Sequence, residues 1–340
     1  MDRRMFLTLL GPSLTPPALE WLIAPPADDV ARPGGTELSV DIVDHIDAVT
    51  AGLRRMDDHL GGGSLLGLVR EHVRHVTELI EHRHYSDSVG RRLHASCGEL
   101  LRLAGWLCFD AGQHAQAQRF WVAALHAAYS AGDRALGANI LGFMSCQAKD
   151  LGQHREAVTL AETARNGYPG ASAKVAAILD LRAAEAHANE GTAHACRAAI
   201  DAAFDRIRDD ASYGAPEWCY WLDEAQAHAQ AGYCYVRLND WSRARTHLRS
   251  ALRLQHSQFT REAALRRILL ATTYIRQDHP DVDRAATLGT QVARSLTAEV
   301  DSTRCVGHLA RLAGHLTPYR RHPAVREFHD QAAALLVSVA

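Results

Sequence analysis

Lysine is nearly missing: Lys149 and Lys174 are the only two in 340 residues, so the positive charge is carried almost wholly by arginine. With 37 basic against 39 acidic side chains and a net charge of -2, the chain lacks the basic footprint that broad electrostatic binding of nucleic acid requires. No apolar run reaches the roughly 20 residues of a membrane span. The seven cysteines (Cys97, Cys108, Cys146, Cys196, Cys219, Cys234 and Cys305) are odd in number, well spread and nowhere spaced as C-x-x-C. They read as reduced, buried thiols of a cytoplasmic protein rather than as a disulfide framework. No G-x-S-x-G occurs, and no Ser or Cys stands in a catalytic phrase, so neither enzymatic activity nor a cofactor is expected.

What the chain does have is alanine-rich apolar sequence, 47% hydrophobic overall, and one phrase used repeatedly. Gly105 to Leu125, GWLCFDAGQHAQAQRFWVAAL, reads as two helices joined by a turn at Gly112. Gly105 is a small residue where a neighbouring helix can come close, and Ala117, Trp121, Ala124 and Leu125 keep one side of the second helix apolar. The phrase recurs at Gly152 (Ala157, Ala161, Ala164), at Gly191 (Cys196, Ile200, Ala203) and at Asn239 (Ala244, Leu248, Ala251, Leu252), with a weaker copy at Asp278. The steps between turns are 40, 39, 48 and 39 residues. A period in this range is the mark of a stacked solenoid.

The repeats resemble tetratricopeptide repeats, though their period exceeds the usual ~34 residues. They predict an all-α fold: a right-handed, tetratricopeptide-like α-solenoid of antiparallel helix pairs. The chain also resembles a family of actinobacterial regulators in which a Cro/repressor-type helix-turn-helix precedes such an array. RRMFLTLLGPSLTPPALEWLIAPP resembles the family's connector. Its array is matched by MDDHLGGGSLLGLV (Met56 to Val69), LRLAGWLCFDAGQHAQAQRFWVAALHAAYSAGD (Leu101 to Asp133), PEWCYWLDEAQAHAQAGYCYVRL (Pro216 to Leu238) and DSTRCVGHLARL. The family's DNA-binding head has no counterpart here, so specific DNA binding is not carried over. The resemblance implies a regulator of development or secondary metabolism, which senses a peptide or small ligand or docks a partner protein, including a separate DNA-binding regulator. A homodimer is compatible with it. The alternative is a passive scaffold without a small ligand.

Along the chain, residues 1–36 read as a flexible connector and 37–340 as the array. Arg3-Arg4 and the apolar stretch after it imitate an export signal, but Pro12, Pro16, Pro17 and Glu20 oppose one. Residues 26–36 read as a linker. Helices are predicted over Leu38 to Leu60, Leu65 to Tyr85 and Val89 to Ala111, with Gly61-Gly62-Gly63 as a stop. DDASYGAPE, residues 209–217, is the longest interruption and accounts for most of the 48-residue step. A last helix, Val325 to Val339, reads as a cap.

Two groups of polar residues are candidates for binding. His72, His75, His82 and His84 stand near Glu71, Glu78 and Glu81. Without H-E-x-x-H spacing, and diluted by Arg70, Arg74 and Arg83, they read as a solvated helix face rather than a metal site. The other group follows from tetratricopeptide geometry, whose exposed inner face falls one residue after Gly105 and at three- and four-residue steps around it. This selects Arg102 and Trp106, Asn139 and Phe143, Arg182 and Glu185, then Gln226, Gln230, Tyr233, Arg237 and Arg276 as groove residues. Asn and Gln can clamp a peptide backbone, Arg can grip a carboxylate bidentately, and the aromatics add apolar contact.

Overall fold

The computed structural model describes residues 15–23, 30–60, 62–208, 214–256, 260–298 and 302–337. Among them are fifteen α-helices and no strand, only two isolated bridges. A short α1 (Thr15–Ile23) precedes α2 (Val40–Leu60) and α3 (Gly62–His82). Six antiparallel pairs follow: α4 (Asp87–Asp110) with α5 (His114–Ala131), α6 (Arg134–Asp150) with α7 (His154–Gly167), and α8 (Ala173–Glu190) with α9 (Ala193–Arg208). Then come α10 (Glu224–Arg237) with α11 (Trp241–Leu254), α12 (Thr260–Arg276) with α13 (Val282–Ala298), and α14 (Thr303–Leu316) with α15 (Pro323–Val337). Each pair packs on the next, which is the α-solenoid that the repeat predicts.

Local chemistry sets the boundaries. The turns expected at Gly112 and Gly152 have φ of 74° and 77°, a left-handed conformation that costs glycine little. Asn239 takes the same role at φ 59°, the only non-glycine with positive φ among the described residues. Asp133, Ser172, Asp223 and Ser302 cap helices by accepting from the backbone N–H three residues on. Where α4 and α5 cross, Gly105 lies under the fully buried Trp121: a Cβ there would sit 2.3 Å from the indole Nε1. Gly232 and Leu248 repeat this arrangement between α10 and α11.

Within the stretch read as a flexible connector, the described residues 15–23 and 30–36 are held against the array. In α1, Trp21 is 4% exposed and lies against Gly137 and Gly167, while Arg134 Nη1 donates to the Trp21 carbonyl at 2.5 Å. An indole with two glycines to receive it is an anchor, and that overrides the loop-like local composition. Residues 30–38 are tied down as well: Arg32 and Tyr85 exchange backbone hydrogen bonds at 3.0 Å, and Leu38 N donates to the His84 carbonyl at 2.7 Å. Arg3-Arg4 lies outside the described residues.

The array also returns on itself. α2 packs against α12, and α14 reaches α4 through Arg304 and Asp110. The first inner helices thereby meet the last ones, and the groove between them becomes a cavity.

Candidate functional site

Inner helices α4, α6, α8 and α10 present their polar faces to a central cavity of about 190 Å3, which α2, α12 and α14 close on the remaining side. Eight of the eleven groove residues selected from the sequence line it: Arg102, Trp106, Phe143, Arg182, Glu185, Gln226, Gln230 and Tyr233. Three do not. Asn139 is one turn before Phe143 on α6 and is buried away from the cavity, its Nδ2 without a partner. Arg237, the last residue of α10, is exposed. Arg276, the last residue of α12, is exposed and lies over the Trp241 ring at 5.8 Å. Both arginines sit at helix ends, beyond the cavity's depth.

The cavity wall is a circuit of buried and partly buried ion pairs. Arg261 donates to both carboxylate oxygens of Asp57, at 3.1 and 3.3 Å, and stands 3.6 Å from Asp110. Arg304 reaches Asp110 at 3.3 Å. Lys149 pairs with Asp150 at 2.8 Å and Glu185 at 3.5 Å, and its ammonium faces the Tyr233 ring at 4.5 Å. Glu185 in turn accepts from Arg182 at 3.4 Å. Burial works against the charges of Lys149, Asp150, Arg261 and Arg304, and their partners outweigh it. Burial would raise the Asp150 carboxyl, but Lys149 and Arg304 hold it down at about 2. Lys149 is likewise opposed by burial, yet Asp150 leads a set of neighbours that keep it firmly protonated.

Other groups are left less well served. Arg102 is 7% exposed, and burial lowers its guanidinium to about 10, still charged at neutral pH. Gln230 is 5% exposed with neither amide atom hydrogen-bonded among the described residues. His308, also in the wall, is pushed down to about 3 by burial and by Arg311 and Arg304, so it is neutral in the folded protein. Buried polar atoms without partners are uncommon in folded proteins, and Arg54, Arg102, Gln230 and Glu262 each bring at least one to this cavity.

The interruption at 209–217 does more than lengthen a repeat. It leads into a 3-10 turn, Glu217–Cys219, and Trp218 within that turn, with Tyr220 and Trp221 just after it, lines the cavity. The Tyr220 hydroxyl donates to Asp58 at 2.6 Å and so ties this segment to α2. Burial raises the Asp58 carboxyl to about 6. Three aromatics within four residues of a loop, in a chain only 6% aromatic, were the signal for this contribution. No such signal marks Asp57, Arg261 or Arg304, because they meet through closure of the array.

Elsewhere, the histidine-rich face of α3 is held by ion pairs of Arg74 with Glu71 at 2.8 Å and Glu78 at 2.6 Å. Among the described residues no group of three His, Cys, Asp or Glu side chains is placed to hold a metal ion. All seven cysteines are buried and unpaired, and no described helix is long and apolar enough to cross a membrane.

No family model matches the sequence, and no curated protein does. Solved structures do match; among them the chain is similar to the apo form of the quorum sensor NprR from B. thuringiensis. The identity is 13% and the TM-score 0.41, over 88% of this chain and 89% of that one.

Proposed function

We propose that this protein is a regulatory array that binds a peptide or small ligand in its central cavity and acts by binding, not by catalysis. The observation that carries this reading is the set of buried cavity groups without internal partners, above all Arg102 and the Gln230 amide. A passive scaffold has no use for a buried polar chamber, since apolar packing would stabilise the same fold at lower desolvation cost.

The walls meet across the seam between α2 and α12, so a ligand that touches both sides would favour the closed form by its differential affinity for it. The outer surface of the array would then present a partner with one of two shapes. Following the family resemblance, that partner is a DNA-binding regulator on another chain, in the cytoplasm, and the output is transcriptional control of development or secondary metabolism.

A thermal-shift screen of short peptides and small organic acids tests the reading. A ligand at about 100 times its Kd adds roughly 2.7 kcal/mol of stability, which is readily seen as a raised midpoint. A screen without hits, alongside stable capture of a protein partner on the outer surface, would favour the scaffold instead.

A further inference from the structure

The cations of the cavity differ in what they are paired with. Arg54, Lys149, Arg182, Arg261 and Arg304 each hold a carboxylate, from Glu99, Asp150, Glu185, Asp57 and Asp110 respectively. Arg266 is satisfied by two amide oxygens, Gln226 at 2.6 Å and Gln255 at 2.8 Å. Arg102 has neither. Among the described residues no carboxylate lies within ion-pair distance of it and its guanidinium donates no hydrogen bond; its Nε is wholly buried.

What Arg102 does have is the Phe143 ring, 5.3 Å from its guanidinium carbon. Arg182 lies over the same ring at 5.4 Å and over Trp221 at 5.7 Å. Two guanidinium groups are thus gathered on one aromatic ring, and Glu185 is engaged by Arg182 and Lys149, not by Arg102. Gly142 makes the approach of Arg182 feasible, because a Cβ there would stand 3.2 Å from the Arg182 Cγ. The rest of the lining includes the apolar Leu103, Ala229, Leu265 and Leu269.

We infer that Arg102, with Arg182 beside it and Gln230 in the same chamber, forms an anion subsite, and that the ligand carries a carboxylate attached to a flat or apolar body. A planar fork of donors fits a carboxylate bidentately, and the apolar lining with Phe143 and Trp221 takes the body. The inference rests on the cavity being a ligand site. The carboxylate has two chemical sources, a free aromatic acid or the C-terminus of a short apolar peptide.

Titration calorimetry on the full chain tests it with matched pairs: indole-3-acetate and indole-3-acetamide, then Leu-Leu-Phe and its C-terminal amide, with inorganic phosphate as a further probe. The acid of one pair should bind at least tenfold more tightly than its amide, and the pair that shows this names the source. In Arg102→Met that ratio should fall to about one, whereas Arg102→Lys, which keeps charge but loses the fork, should retain an intermediate ratio. Arg102→Met should also melt no lower than wild type without ligand, because it removes a buried cation that no carboxylate pairs and Met keeps an apolar contact with Phe143; a structural arginine would give the opposite shift. Equal binding of acid and amide by wild type would remove the anion subsite and leave the cavity as a ligand site. Full discrimination in Arg102→Met would place the anion elsewhere, and preference for phosphate would overturn the carboxylate. If neither member of either pair binds at millimolar concentration, both the subsite and the cavity reading fail.

Discussion

Arg261 and Asp57 are 204 residues apart in sequence and meet in a bidentate ion pair, at 3.1 and 3.3 Å, with both side chains buried. The pair joins α12 to α2, and the Cys305 thiol donates to the Arg261 carbonyl at 3.9 Å, which brings α14 to the same point. This seam brings the first and last helices of the array together around the cavity.

Asp57→Asn should loosen the seam without unfolding the array. Breaking a buried pair costs about 3–5 kcal/mol, and less is expected here because Glu262 and Asp110 remain near Arg261, at 3.3 and 3.6 Å. Hydrogen exchange should quicken in α2 and at the start of α12, while α6 and α8 keep their protection. Uniform loss of protection along the chain would mean that the seam is not a separable contact.

Two helical glycines should respond to alanine with opposite sign. At Gly105 the added methyl would collide with Trp121, and overpacking of this kind costs about 1–3 kcal/mol. Gly67, exposed within α3, has nothing within 4 Å of the new Cβ, so Gly67→Ala should stabilise by up to about 1 kcal/mol through helix propensity. Urea unfolding midpoints of the two variants check both signs.

Gly137→Ala should free the N-terminal helix selectively. A Cβ there would lie 2.0 Å from Trp21 Nε1, and α1 is short enough to yield. Limited proteolysis should cleave between α1 and α2 faster than in wild type while α2 to α15 remain intact. Unchanged cleavage would show that α1 is not held by this pocket.

Acid should destabilise the protein partly through His308. Its folded pKa, about 3, lies below the ordinary histidine value because of burial and of Arg311 and Arg304; Lys149 adds to this and Asp150 opposes it. The lowered pKa means that the folded state binds the proton less readily than the unfolded chain. Stability linked to this group is therefore present above about pH 6.5 and lost as pH falls toward 3. Asp58, raised to about 6 by burial, acts in the opposite direction, so the test is a difference: His308→Gln should lose less stability than wild type between pH 7 and pH 4. Parallel curves would show that His308 makes no contribution.

The repeat was legible because each copy carries its own turn and its own small residue at the helix crossing, as Gly105, Gly112 and Trp121 do within seventeen residues. The cavity-facing positions of α4, α8 and α10 followed from that phase. Two things were not local and so left no local trace. Closure of the array depends on summed rotation between pairs, which is why Asp57, Arg261 and Arg304 could not be matched in advance. The docking of Trp21 depends on Gly137 and Gly167, more than a hundred residues away, each of which reads alone as an ordinary small residue. Asn139, Arg237 and Arg276 share the periodic phase of the lining residues, but phase says nothing of depth, and the cavity is shorter than the helices that form it.

The most direct test of a ligand site inside the closed array is to fill it. Ala229 lines the cavity from α10 and is 9% exposed, so Ala229→Trp would place an indole in the proposed ligand space. Compounds that raise the melting midpoint of wild type should leave that of Ala229→Trp unchanged, with the variant still helical by circular dichroism. Equal stabilisation of both proteins by the same compounds would put binding outside the cavity and contradict the account.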